Sequence, residues 1–202
     1  MSPEPKTAAP HRALIVLVGG FVLVLIARGF LVQSYYIPSG SMEPTLELGD
    51  RLLVNKVGVA SALRRGDLVV FDGTHAFANN TDYVKRVVGL PGDHVVCCDA
   101  ARLLTVNGTA IKEPYLYPGD QSSELTFDVL VPSERIWVMG DHRSDSADSR
   151  AHLGDPGGGM VRLDDVIGRV AVIYWPPSRA GVPDVADSLG KIPVTSAAER
   201  HK

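Results

Sequence analysis

One run dominates the pattern of apolar and polar positions. From Ala13 to Ala27 no charged or strongly polar side chain occurs, and after Arg28 the apolar pattern resumes through Val32. Twenty residues at 1.5 Å rise make about 30 Å of helix, the thickness of a bilayer's hydrocarbon core. The run therefore predicts a transmembrane helix over 13–32. Arg28 lies close enough to its end to snorkel to the headgroups, and Tyr35 and Tyr36 follow at the depth of an interfacial aromatic belt. Lys6 and Arg12 precede the run, whereas residues 33–50 carry Glu43, Glu47 and Asp50 and no Lys or Arg. The positive-inside rule then makes 1–12 a cytoplasmic tail and puts the remaining chain outside the cell membrane, which it crosses once. A cleaved secretory signal is the rival reading. The run is longer than a usual signal core, and no clean small-x-small site follows it.

Beyond the run, short β-branched stretches alternate with Gly, Pro and Asp. Strands are predicted at Arg51–Val57, Asp67–Phe71, Tyr83–Val88, His94–Cys98, Leu103–Val106, Ile136–Met139 and Val166–Trp175. Turns at Arg65-Gly66-Asp67, Leu90-Pro91-Gly92-Asp93 and Asn107-Gly108 separate them, the last with a hairpin signature. No helical apolar period of any length appears after residue 33. The fold class is mainly β, an all-β barrel or sandwich over 33–176 behind the single helix. Asp141 to Gly159 reads as a loop or run of turns. Residues 177–202 carry little that could pack and are expected to be mobile.

Composition narrows the classes of function. The chain has 202 residues, and a net charge of −3 argues against a nucleic-acid module working through a basic face. Cys97 and Cys98 are the two cysteines. An extracytoplasmic location permits a disulfide, but neighbours close only a strained ring, so ordinary strand residues are the preferred reading. Without histidines at metal spacing a zinc site is not expected. The Asp positions of 141–150 miss the calcium-loop pattern as well, so no metal is implied.

Three segments can carry chemistry. In Ile37-Pro38-Ser39-Gly40-Ser41-Met42-Glu43-Pro44-Thr45-Leu46 two prolines and a glycine shape a path that exposes a hydroxyl beside backbone N–H groups. A nucleophile and its oxyanion hole need that arrangement, although the same composition also makes plain turns. A base is needed too. His142, in the Asp-rich loop, is one candidate for a Ser-His-Asp triad. The other is Lys85, whose strand face it shares with Tyr83 and Val87. Burial there disfavours the ammonium and lowers the pKa, toward about 7 if the amine is to be substantially neutral. The third segment is Gly140 to Arg150, where Ser146 is placed to hydrogen-bond an amine and Asp148 with Arg150 to tie the loop down.

Taken together, Pro38 to Leu46, Arg65 to Phe71, Lys85 to Asp93 and Gly140 to Arg150, in that order behind an apolar run, resemble the type I signal peptidases. These are membrane-anchored bacterial serine proteases of the secretory pathway. The resemblance implies an all-β catalytic domain, with Ser41 as nucleophile, Lys85 as general base, and Ser39 Oγ with the Ser41 N–H as oxyanion hole. It also implies Ser146 as the group orienting the lysine and an Asp148–Arg150 structural ion pair. Ile37, Pro38 and Met42 would contact substrate. The implied partners are the bilayer and the signal peptides of preproteins, cut after small residues, and no cofactor is implied. His142 departs from the family, where Asn is commoner. The span between Asp93 and Gly140 is short, so the family's second subdomain would be small. Two rivals remain: a self-cleaving repressor-type Ser/Lys protease, whose DNA-binding domain would stand where the apolar run is, and a membrane-tethered β domain that binds without cleaving.

Overall fold

The computed structural model describes residues 10–192. Lys6, His201 and residues 193–202 lie outside them, as do the side chains of His11, Arg12 and Arg28. Helix α1 (Pro10–Leu31) has 22 residues, and its described side chains, at 13–22, 24 and 31, are exposed. Among the described residues no helix is long and apolar enough to cross a membrane; the side chains at 23 and 25–30 are not among them.

The chain passes directly from α1 into β1 (Val32–Tyr36). The strands that follow are β2 (Arg51–Asn55), β3 (Leu68–Asp72), β4 (Asp82–Gly89), β5 (His94–Cys97), β6 (Thr105–Val106), β7 (Thr109–Ala110), β8 (Phe127–Leu130), β9 (Arg135–Met139), β10 (Val161–Arg162) and β11 (Val166–Trp175). They form two antiparallel sheets. One has seven strands in the order β1-β2-β11-β3-β4-β9-β10, and the other has four, β7-β6-β5-β8. Each of the seven expected strands is present, shifted by up to two residues at an end. The strands not expected are β1, β7, β8 and β10. Three of these are two to four residues long, and β1, Val-Gln-Ser-Tyr-Tyr, starts at the last residue of the apolar run. Among the described residues after 33 there are also two single-turn α-helices, α2 (Val59–Ala62) and α3 (Asp187–Gly190).

Burial explains why the strands hold. In β3 Leu68 to Phe71 are all buried, as expected of a central strand covered on both faces. Asn107 and Gly108 both have positive φ, 52° and 75°, the pair of left-handed residues that a tight β6–β7 hairpin requires. Three apolar clusters result. Ile37, Met42, Leu46, Leu52, Val54, Leu68 and Val70 form one under the turn that follows β1. Val69, Phe71, Val87, Ile136 and Val138 form a second. The third joins the small sheet to Trp137, Met139 and the C-terminal residues Ala186, Leu189 and Ile192. Those last residues correct the expectation that the chain past Pro177 has little to pack: three spaced apolar side chains suffice. Cys97 and Cys98, expected as ordinary strand residues, are joined to each other as a vicinal disulfide.

Candidate active site

The turn after β1 is built by its prolines, its glycine and two apolar anchors. Ile37 N–H donates to Asp50 O at 2.9 Å and Gly49 N–H to Ile37 O at 3.0 Å, which closes the loop 37–50 at its base. Within it Leu46 N–H donates to Met42 O at 2.9 Å, a single helical turn that puts both side chains in the core. With its neighbour so pinned, Ser41 faces the other way, toward β4. There Lys85 Nζ donates to Ser41 Oγ at 2.6 Å. Both residues are buried. Ser39 Oγ lies 3.4 Å from Ser41 Oγ and is exposed.

Burial pushes the Lys85 ammonium down to about 8, against the opposing pull of Asp148 and Asp141; Arg150 lowers it further and Asp145 raises it. At pH 7 a lysine of pKa near 8 is neutral in about one molecule in ten, against about one in three thousand for an ordinary one. The amine falls about a unit short of the value near 7 set out from sequence.

The loop after β9 closes over this pair. His142 N–H donates to Ser41 O at 3.2 Å. Gly140 sits so close that a Cβ there would lie 2.2 Å from Ser146 Oγ and 2.5 Å from Ser41 O. The position takes no larger residue without moving the turn. Asp148 accepts from Gly140 N–H at 2.9 Å and holds Arg150 through two bonds, Nε to Oδ1 at 2.8 Å and Nη2 to Oδ2 at 2.7 Å. Burial raises the Asp148 carboxyl, but Arg150 outweighs it and the group ends below the ordinary carboxylate range. Ser146 Oγ is buried beside the dyad and meets no hydrogen-bond partner among the described residues.

Two hollows flank Ser41 and Lys85. A cavity of about 140 Å³ is walled by Tyr35 to Ser39, Ser41, Leu52, Val70 and residues 81–85. An open cleft of about 560 Å³ runs the other way, along Ser39, Tyr83, Ser144, Asp145, Ser146 and Ala151. Of the expected substrate contacts, Ile37 and Pro38 line the cavity, while Met42 is packed wholly in the core. Tyr35, expected with Tyr36 at a membrane interface, is half-buried in the cavity wall, where burial and then Asp82 push its phenol up to about 12. Tyr36 is exposed.

The histidine alternative finds no geometry. His142 stacks on Tyr117, ring centroids 3.9 Å apart, and its Nδ1 is buried without a partner among the described residues. His75, His94 and His152 bond to Asp165, Asp128 and Asp155. Sequence reasoning missed Arg86 and Asp141, a fully buried pair at 2.6 Å beside the dyad, to which Thr45 Oγ1 also donates. A charged residue adjoining Lys85 in a strand must face away from it, into the other core, and that alternation was the available signal. Among the described residues no cluster of potential metal ligands occurs.

Residues 11–175 match the signal peptidase family, peptidase S26. The chain is 34% identical to a probable signal peptidase I of Mycobacterium leprae, over 89% of this chain and 80% of that one. It is 36% identical to the signal peptidase I of Mycobacterium tuberculosis over 89% and 78%. Identity to the signal peptidase I of Bacillus licheniformis is 42%, over 82% and 87%. A crystal structure of a signal peptidase I from Enterococcus faecalis overlaps 53% of this chain and 95% of that one, with 26% identity and a TM-score of 0.42.

Proposed function

The chain belongs to the signal peptidase family, peptidase S26, and on that premise we propose that it removes the signal peptides of preproteins with Ser41 as nucleophile and Lys85 as general base. It is a serine endopeptidase of that family. The observation that carries the dyad is the 2.6 Å hydrogen bond between two buried side chains 44 positions apart. The amine lacks full solvation and therefore spends a useful fraction of time neutral, able to take the Ser41 proton as the hydroxyl attacks the scissile carbonyl. Ser39 Oγ, 3.4 Å from Ser41 Oγ, and the Ser41 N–H are assigned as the oxyanion donors, and a single such donor is typically worth about 10²–10³ in turnover. As the peptide C–N bond breaks, Lys85 hands the Ser41 proton to the leaving amine and, neutral again, deprotonates the water that hydrolyses the acyl-enzyme. The Asp148–Arg150 pair keeps the loop after β9 in place, whereas Ser146 Oγ, implied by the resemblance to orient the amine, makes no hydrogen bond to it.

Substrate binds as an extended strand. β4 pairs with β3 over 82–86 but with β9 only from Arg86 onward, so the backbone of Asp82 to Lys85 has one free edge. That edge and residues 35–39 bound the same small cavity, which suits the small side chains, commonly Ala, before the cut. The apolar run 13–32 anchors the enzyme, with residues 1–12 in the cytoplasm and 33–176 outside. Its support is the sequence pattern and the exposed Leu14, Ile15, Leu17 and Phe21 of α1. Sharing one bilayer with the preprotein raises the effective concentration of each for the other.

The test is cleavage of a purified preprotein by the full chain in detergent. Ser41→Ala and Lys85→Met should each abolish mature product while leaving the circular dichroism spectrum unchanged. Cleavage retained in Lys85→Met and lost in His142→Ala would transfer the role of base to the histidine.

A further inference from the structure

The chain past Trp175 lies beyond the residues matched to the family, yet it returns to the site. Ile173 and Gly181 exchange backbone hydrogen bonds of 2.8 and 3.0 Å, which turns residues 176–181 back along β11. That fold-back presents Arg179 to the far side of the loop bearing Ser41. Its guanidinium donates to Asp50 Oδ1 and Oδ2 at 3.1 Å, to Glu47 Oε1 at 2.8 Å and to Thr45 O at 3.2 Å. Asp50 is itself buried and accepts from Glu47 N–H at 2.9 Å. Further on, Asp184 O accepts from Arg86, the neighbour of Lys85, at 3.1 Å, and Ile192 O accepts from Arg65 at 2.8 Å. Ala186, Leu189 and Ile192 hold this segment in the core of the small sheet.

We propose that residues 176–192 form a strap that positions the dyad, with Arg179 holding the Ser41 turn at its working distance from Lys85. The inference rests on the assignment of Ser41 and Lys85 above. The physical need is plain from the loop's own bonds. Its base is closed by Ile37, Gly49 and Asp50, but Ser41 sits at the opposite end, tied to the β9 loop by one backbone bond. Arg179 adds a clamp on Thr45, Glu47 and Asp50, the half of the loop that carries the Met42–Leu46 turn. A displacement of about 1 Å at reacting groups costs on the order of 10² in rate, so a modest loosening is visible in turnover. A loosened turn also lets water reach Lys85, which a purely structural contact elsewhere would not do. Arg179 touches no reacting atom and acts through the turn.

The experiment compares the full wild-type chain with Arg179→Gln and Arg179→Lys on a purified preprotein in detergent, and follows the Lys85 amine directly by NMR titration. Arg179→Gln should lower kcat about tenfold with KM within twofold, and should move the Lys85 midpoint upward. Arg179→Lys, whose ammonium still reaches Asp50, should recover most of both. Wild-type kcat in Arg179→Gln, or an unmoved Lys85 midpoint, overturns the strap. If the wild-type chain itself cleaves no preprotein, the functional reading fails, and the Lys85 midpoint alone decides the strap: a midpoint raised in Arg179→Gln upholds it and an unmoved one overturns it.

Discussion

Lys85 ties a pH dependence to both rate and stability. With its ammonium pushed down to about 8 by burial, the neutral base grows about tenfold per pH unit below that value. Preprotein cleavage should climb accordingly between pH 6 and 7.5 and flatten above about pH 8.5, as an initial-rate profile will show. The effect on stability has a definite sign. Between pH 8 and 10.5 the unfolded chain holds a proton that the folded one has released, so folding grows more favourable as pH rises. Below pH 8 the full penalty of a buried ammonium is present, about 3 kcal/mol for such a shift. Lys85→Met should therefore melt higher than wild type at pH 7, with the gap closing toward pH 10.5 in thermal scans. Ser41 and Lys85 were legible as candidates from their local company, Pro-Ser-Gly-Ser-Met and an amine on an apolar strand face, and only the resemblance set them apart from a plain turn and a surface lysine. Met42 was not legible as core, because only the i, i+4 partnership with Leu46 sends it inward.

Among the elements, β4 carries both the proposed base, Lys85, and the edge proposed for substrate. Its second half pairs with β9, and Val87 also with Gly66 and Asp67 just before β3, while Asp82 to Lys85 has one edge open beside the cavity. An extended substrate that pairs there depends on its backbone N–H groups, each hydrogen bond being worth about 1 kcal/mol. A peptide substrate N-methylated at the pairing residue nearest the cut should show KM raised several-fold at unchanged amino-acid sequence, measured against the unmodified peptide. Methylation one residue along, where the N–H points away, should have little effect. The strand itself was predicted from its β-branched run to within a residue at either end, and so was β11. The short strands β7, β8 and β10 were missed because two to four residues hold no period; their partners alone define them.

The whole molecule converges on a buried ion pair. Arg86 and Asp141 are fully inaccessible, and Arg86 also donates to Gly66 O and Asp184 O and lies over the Tyr115 ring, 4.4 Å from its centroid. Strand β4, the loop after β9, the Ser41 turn and the C-terminal segment thus meet at one charge. Asp141→Asn leaves that charge without its counter-ion, a change that typically costs about 3–5 kcal/mol. Its thermal midpoint should fall by several degrees and cleavage should fall with it. Asp141→Asn combined with Arg86→Met removes the stranded charge and should melt higher than Asp141→Asn alone.

Local chemistry was enough to set the membrane-length apolar run, the alternation of strand and turn, and the candidates for nucleophile and base, because each depends on side chains near one another along the chain. The pairing of Ser41 with Lys85, the Arg86–Asp141 contact and the return of Arg179 to the Ser41 loop depend on strand order across the seven-stranded sheet. Strand order is set by which buried faces fit together, and that competition involves the entire core at once. For the same reason a C-terminal segment of modest hydrophobicity reads as having little to pack when taken alone. Three of its side chains complete a core that residues far upstream leave unfinished.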